Sequence, residues 1–286
     1  MSKSQSGIVW LASYPRSGNT WTRNFLNNLF AVLTGSNDDP KDINSLNEFT
    51  LWDISASRFE DCLGKKIKDA ERDEIAAVRG EVQKRIAEHS DGVALIKTHN
   101  ALVSDRGNPT INFSVTAGAV YIVRNPLDVT ISFAHHFDID MDAAIQHMAR
   151  KGAETIIAEQ AAYEVYGSWS ENVMSWTRKS HPAILVMRYE DMLDSPADTF
   201  GGLVRHLLID ATETQIAKAV DLSSFARAKA QEEEKGYIER PKGSEAFFRV
   251  GRSEQWRDVL SEEQIRRVIA KHREQMQRFD YVPSGY

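Results

Sequence analysis

Cysteine is nearly absent from this chain. Cys62 is the single one in 286 residues, which excludes an internal disulfide framework and a zinc site built on several cysteines. Long apolar runs are missing too, none approaching the ~18 residues of a membrane span. The opening MSKSQSGIVWLASYPRSG carries an apolar run too short, and too soon ended by Pro15, for a secretory signal. Basic residues are not in excess: 35 Lys and Arg stand against 41 Asp and Glu, a net charge of −6. Nucleic-acid binding through bulk electrostatics is therefore disfavoured, while a small basic pocket for a nucleotide stays open. There is no internal repeat and no Pro/Gly-rich linker to mark a boundary. Gly-Lys-Ser and Gly-Lys-Thr never occur, so the GxxxxGK[ST] loop of nucleoside triphosphatases is excluded. What is left is ordinary globular composition, 42% apolar and 27% charged, which argues against disorder. The expectation is a soluble, cytoplasmic protein, not bound to membrane, whose residues 1–286 form a single domain.

Apolar patterning points to strands alternating with helices. Ile8 to Ala12 is a short continuous apolar run, as expected of a strand buried on both faces. Three more such runs succeed it: Val93 to Ile96, Ala119 to Val123 and Ala183 to Met187. Between them lie helical patterns. The first has Trp21, Phe25, Leu26, Leu29, Phe30 and Leu33 on one face; others are predicted over Ala70 to Ala87 and Glu159 to Lys179. A last helix starts at Ser261, which has Gln264 at capping-box spacing, and runs to about Phe279. This alternation predicts an α/β fold with a mostly parallel central sheet flanked by helices. Two polar stretches, 35–57 and 229–245, stand out as excursions of the length used for binding loops. The second is predicted to lie outside the core. The charged stretch from Lys65 to Glu88 reads as a solvated face.

Four segments carry chemistry. Tyr14-Pro15-Arg16-Ser17-Gly18-Asn19-Thr20-Trp21 joins the first strand to the first long helix, whose N-terminus offers unpaired N–H groups to an anion. Gly18 allows close backbone approach, Ser17 and Thr20 add hydroxyls, and Arg16 adds charge. Taken alone, the segment is equally a Pro-Gly turn with a capping hydroxyl. Lys97-Thr98-His99 closes a buried strand, at the sheet edge where α/β folds bind ligands. Strand alternation there puts a cation and a near-neutral base on one side. Arg124-Asn125-Pro126 ends the next strand and opens a helix carrying Ser132 two turns on, a phosphate grip in which an Arg124–Asp128 ion pair is the structural alternative. Last comes Phe247-Phe248-Arg249-Val250-Gly251-Arg252, a basic turn with Trp256 shortly after it that could close over an anion and, taken alone, is only a basic loop.

Together and in this order, the four segments resemble the cytosolic-type sulfotransferases, with a bacterial-looking spelling. That family's YPKSGTTW matches Tyr14–Trp21, its KTH matches Lys97–His99, its RNxKD…S matches Arg124–Ser132, and its RKGxxGDW matches Arg249–Trp256. The matches run from residue 14 to 256, most of the chain. The resemblance implies a P-loop-like phosphosulfate-binding loop and 3′-phosphoadenosine 5′-phosphosulfate (PAPS) as co-substrate, with release of 3′,5′-bisphosphoadenosine (PAP). By position, Arg16, Ser17, Gly18, Asn19 and Thr20 would hold the 5′-phosphosulfate. Trp21 and Phe225 would stack on adenine, with Tyr189 and Ser223 beside them. Arg124, Ser132, Arg249 and Gly251 would hold the 3′-phosphate. His99 is then the expected general base, and Lys97 and Arg16 are expected to stabilise the transferring sulfuryl group without a metal.

Three positions depart from the family pattern. Arg16 stands where the family has lysine, Val250 where it often has lysine, and no KxxxTVxxxE dimerisation motif is recognisable near Arg257 to Glu263. Oligomeric state is thereby left open. A Golgi-type membrane anchor is not expected. The expected acceptor is a phenol or alcohol of a small molecule or natural product, with an amine as the alternative nucleophile. Acceptor-side candidates are Phe49, Trp52, Phe133, His135, His136 and Tyr237. A metal-dependent nucleotide kinase and a non-catalytic PAP or PAPS binder are the two alternatives.

Overall fold

The first apolar run forms strand β1 (Gly7–Ser13), buried along its whole length. A computed structural model describes residues 6–35, 39–241 and 243–286. The chain divides into two units interleaved in sequence. One holds the residues up to Tyr14, Thr50–Tyr121 and His147–Val186; the other holds Pro15–Phe49, Ile122–Gln146 and Met187–Tyr286.

The first unit is built on the central sheet. After β1 come β2 (Leu51–Trp52), β3 (Val93–Thr98), the short β4 (Ser104–Asp105) and β5 (Asn108–Pro109), β6 (Thr116–Val123) and β7 (Ile184–Arg188). The sheet order is β2-β3-β1-β6-β7, while β4 and β5 pair separately as an antiparallel ribbon. β1 and β2 both lie parallel to β3, with Leu11 and Trp52 each in register with Lys97. The predicted mostly parallel sheet is present, and its non-sequential order needs the helical crossovers that the pattern implied. Trp10 spans to β6, its indole N–H donating to Thr116 Oγ1 at 2.9 Å.

The predicted 70–87 helix runs from Arg72 to His89 and packs on β1 and β3, its N-terminus closed by a Glu71–Glu74 capping box. The helix predicted over 159–179 is shorter than expected and occupies only Trp169–Thr177. Gly167, at φ 65°, breaks the chain, and Ser168 with Glu171 starts the helix afresh. Residues 153–165 run instead as irregular chain with isolated bridges such as Glu154 to Val165. Ala162, Tyr163 and Val165 are buried there while Ile156 is exposed, a pattern without helical periodicity.

The second unit is mostly helical. Its main helices are Asn19–Leu33, Pro126–Phe137, Phe225–Lys235 and Glu262–Arg278. The last is capped by Ser261 and Gln264 as the spacing predicted. Pro126 occupies the first turn of its helix, with Asn125 Oδ1 accepting from Leu127 N at 3.0 Å. Both excursions contain residues outside the described ones, 36–38 and 242. Their described parts are more structured than polar composition suggested. The first contributes a 3-10 turn (Ile43–Ser45), a helical turn (Leu46–Phe49) and strand β2. The second is not outside the core: it opens inside the helix Phe225–Lys235 and buries Gln231, Glu232 and Tyr237. In the second unit the two stretches are tied together. Gln231 Oε1 accepts from Ile43 N (3.1 Å), and Asn44 bonds both Gly236 O (3.2 Å) and Ile238 N (2.8 Å). Among the described residues, no helix is long and apolar enough to cross a membrane.

Candidate active site

In the second unit, the loop after β1 delivers the chain to a helix N-terminus prepared for an anion. Arg16 and Gly18 both adopt left-handed backbone, at φ 68° and 109°. Gly18 is the helix N-cap, so the cap residue offers no side-chain bond, and the first turn holds no acidic residue. No acidic side chain of that turn therefore offsets the positive end of the helix dipole. Gly18 is required sterically as well, because a Cβ there would stand 2.7 Å from Tyr189 Cδ2.

Around this terminus the structure gathers several of the predicted residues. Arg16 Nε donates to Ser132 Oγ at 3.1 Å, one of its terminal nitrogens lies 3.2 Å from His136 Nδ1, and its guanidinium lies 4.3 Å from the centre of the Phe247 ring. An arginine can only donate, so His136 Nδ1 is the acceptor. Arg124 is buried, stacks at 4.1 Å over Tyr189, and donates to the Arg16 carbonyl at 3.1 Å. Burial, and after it the Arg124 charge, pushes the Arg16 guanidinium down to about 10. A half-buried guanidinium whose charge is disfavoured by burial and by a second, buried arginine makes a site that an anion would stabilise. Two buried polar atoms point to the same need: Ser17 Oγ and Arg124 Nε have no hydrogen-bond partner among the described residues.

Asp128, considered as an ion-pair partner of Arg124, does feel that charge, which opposes the larger effect of burial on its pKa, but its hydrogen bonds go elsewhere. The Asp128 carboxylate accepts from Glu254 N (2.7 Å) and Trp256 N (3.1 Å), fastening the turn after Gly251 to the Pro126 helix. Gly251 sits at φ 65°, and a Cβ there would fall 2.4 Å from the Phe225 ring. Arg249 is half-buried, and burial lowers its pKa; its charge also helps lower that of His135, after burial. Trp21 meets Tyr189 and Phe200 edge-on at 6.0 and 5.6 Å. Ser223 is placed differently from the rest: its hydroxyl donates back to Ala219 O at 2.8 Å, within its own helix.

The first unit holds the other two predicted residues. His99 lies one residue past β3, so strand alternation does not orient it. Its ring is set by Ser13, with Nδ1 at 2.8 Å from the Ser13 carbonyl and 3.3 Å from Ser13 Oγ. A carbonyl only accepts, so Nδ1 carries the proton and Nε2 is the accepting nitrogen of the neutral ring. Lys97 Nζ lies 4.9 Å from the centre of the Trp52 ring, the neighbour that strand register provides. Trp52, a candidate for the acceptor side, thus stands beside the predicted cation, while Tyr237 is core in the second unit.

Several participants escaped the sequence. Ser13 and Glu232 carry no signal of their own, and Phe247 stands in the fourth segment without a role; Glu232 lies in the polar run QEEEK, where only i, i+4 spacing from Ala228 hints at burial. Among the described residues, no group of three or more His, Cys, Asp or Glu is arranged to hold a metal.

Comparison with known proteins agrees with these motifs. The family model described as the sulfotransferase domain matches residues 7–280. Flavonol 3-sulfotransferase of Flaveria bidentis is 24% identical over 285 residues, covering 93% of this chain and 80% of that one. Luciferin sulfotransferase of Photinus pyralis is 23% identical, covering 90% and 68%. Among solved structures, mouse sulfotransferase SULT7A1 complexed with PAP superposes with a TM-score of 0.60 at 19% identity, covering 95% of this chain and 85% of that one.

Proposed function

Because the chain belongs to the sulfotransferase domain family, we propose that it transfers the sulfuryl group of PAPS to a hydroxyl of a small molecule, a phenol or alcohol, with His99 as general base. The observation that carries this reading is the helix terminus at the glycine cap Gly18, with the Arg16 and Arg124 guanidiniums beside it and, among the described residues, the unpartnered Ser17 Oγ and Arg124 Nε. These groups suit a ligand bearing several negative charges. The names of the flavonol and luciferin enzymes support a small acceptor. One family model running through both units supports treating residues 1–286 as one domain. The lone Cys62 suits a reducing, cytoplasmic setting.

Bound PAPS supplies the sulfuryl group and takes the electron pair of the breaking S–O bond away on PAP. The residues would divide the remaining work. Arg16, Ser17, Gly18, Asn19 and Thr20 hold the phosphosulfate end, and Arg124, Ser132 and Arg249 hold the 3′-phosphate. The Arg16–Ser132 hydrogen bond links the two groups. The turn at Gly251 sets Arg249, and Trp21, Tyr189 and Phe225 line the adenine side, with Ser223 nearby. His99 Nε2 accepts the hydroxyl proton as the acceptor oxygen attacks sulfur, typically worth ~10²–10⁴-fold. The Ser13 carbonyl holds the other ring nitrogen and steadies the imidazolium that results. Lys97 and Arg16 supply positive charge to the transferring group in place of a metal.

Calorimetric titration with PAP and with ADP, both in chelator, tests the donor site. Tight PAP and weak ADP binding are expected, and Arg124→Ala should abolish that preference. His99→Ala should bind PAP as the wild type does and turn over no acceptor. Equal binding of the two nucleotides would refute a 3′-phosphate site and bring a metal-dependent kinase forward.

A further inference from the structure

Thr98, His99 and Asn100, at the end of β3, are held by two buried carboxylates from distant parts of the first unit. Asp53 Oδ2 accepts from Thr98 Oγ1 at 2.8 Å and from Asn100 Nδ2 at 2.9 Å. Glu164 Oε1 accepts from the intervening His99 N at 2.8 Å. The donors thus alternate along the chain between one acid and the other. A further ring closes around them. Asn100 N donates to Thr98 Oγ1 (3.0 Å), Asn172 Nδ2 to the His99 carbonyl (2.9 Å), and Trp176 Nε1 to the Asn100 carbonyl (3.0 Å). Asp53, Thr98 and Asn100 are all at most 1% exposed, so water does not compete for these bonds.

A buried pair of acids is a costly way to fill a core, since each carboxylate loses its hydration. Burial raises the pKa of both, and the Glu164 charge raises Asp53 further. Arg79 opposes both shifts and Lys97 opposes that of Glu164. Packing alone would be served better by apolar side chains. What the acids do provide is a fixed direction for three consecutive residues, the middle one being His99.

We propose that Asp53 is a positioning residue for His99: by bonding the side chains on either side of it, Asp53 locks the main chain so that the imidazole keeps Nδ1–H on the Ser13 carbonyl. Its relevance to turnover rests on the reading of His99 as general base, but its geometry does not.

The test is histidine side-chain NMR on the full-length protein carrying isotope-labelled histidine, with His99→Gln identifying the His99 signals. In the wild type, His99 should be the Nδ1–H tautomer with a slowly exchanging proton. Asp53→Ala should give a tautomer mixture and about tenfold faster exchange of that proton, equivalent to about 1.4 kcal/mol. Thr98→Val, close to isosteric, should do the same and carries the test should Asp53→Ala not fold. Asp53→Asn keeps an acceptor and should restore the wild-type signal. An unchanged His99 tautomer and exchange rate in the folded variants would overturn the proposal. Calorimetry with PAP separates the two readings. A wild type that fails to bind PAP, with His99 still released in the variants, would remove the sulfotransferase mechanism and leave the positioning role standing.

Discussion

Glu232 is the residue whose removal should show how a polar core contact supports the donor site. Its carboxylate is 4% exposed, with Oε1 accepting from Phe247 N at 2.7 Å and Oε2 from Phe248 N at 2.8 Å. Glu232→Ala deletes two charge-assisted bonds and leaves two backbone donors without partners. Each such loss costs about 1–3 kcal/mol. Because Phe247 and Phe248 are only half-buried, water can reach the freed N–H groups. The lower part of the range therefore applies, about 2–4 kcal/mol in all. The functional consequence comes from what the two rings touch. Phe247 lies under Arg16, and Phe248 meets Phe225 edge-on at 6.1 Å, the ring that also fills the space beside Gly251. Releasing residues 247–251 should therefore cost PAP affinity about 10–100-fold, or about 1.4–2.8 kcal/mol. Urea unfolding would read the first effect and calorimetry with PAP the second. Glu232→Gln, retaining one acceptor, should fall between. A destabilised Glu232→Ala that binds PAP with wild-type affinity would show that the Phe247–Gly251 turn does not support the donor site.

Two further predictions concern a histidine and a glycine. Burial, then the neighbouring Lys271 charge, holds His272 down at about 4. The unfolded chain takes up that proton near 6.5 and the native protein only near 4, so stability should fall as pH drops through this window. The loss is at most about 3 kcal/mol. Urea titrations across pH should show this slope flattened in His272→Gln, and an unchanged slope would mean that another group titrates. Gly18→Ala would meet both left-handed strain, about 1–2 kcal/mol, and the Tyr189 ring. Since that ring carries Arg124, PAP affinity should drop at least about tenfold on calorimetry, and wild-type affinity would argue against close approach at this turn.

Much of the fold was legible in the chain because its signals are local. The runs Ile8–Ala12 and Ala119–Val123 are apolar without alternation, and both became strands within a largely buried sheet. Ser261 with Gln264, and Pro126 after Asn125, opened helices where backbone chemistry requires them. The misreadings came from segments whose state depends on distant partners. Residues 159–168 belong to the start of the helix predicted over 159–179, but Gly167 and the bridges at Ala161 and Val165 hold them irregular. The two-residue β2 is too short to announce itself and exists only through its pairing with β3.

The chemistry divides along the same line. By itself, the sequence determined the site's vocabulary. The turn at Gly18, the basic residues Arg16, Arg124 and Arg249, and Lys97 with His99 are each readable because residue type and near-neighbour spacing carry the physical meaning. Only the tertiary structure decided how each is held. Arg16 bonds Ser132, 116 positions away. Asp128 was turned from a possible partner of Arg124 into the anchor of Glu254 and Trp256. His99 took its tautomer from the Ser13 carbonyl and its main-chain anchor from Glu164. These are hydrogen bonds between residues far apart in the chain, and their strength comes from burial, a property that no local stretch of sequence possesses until the whole chain has folded around it.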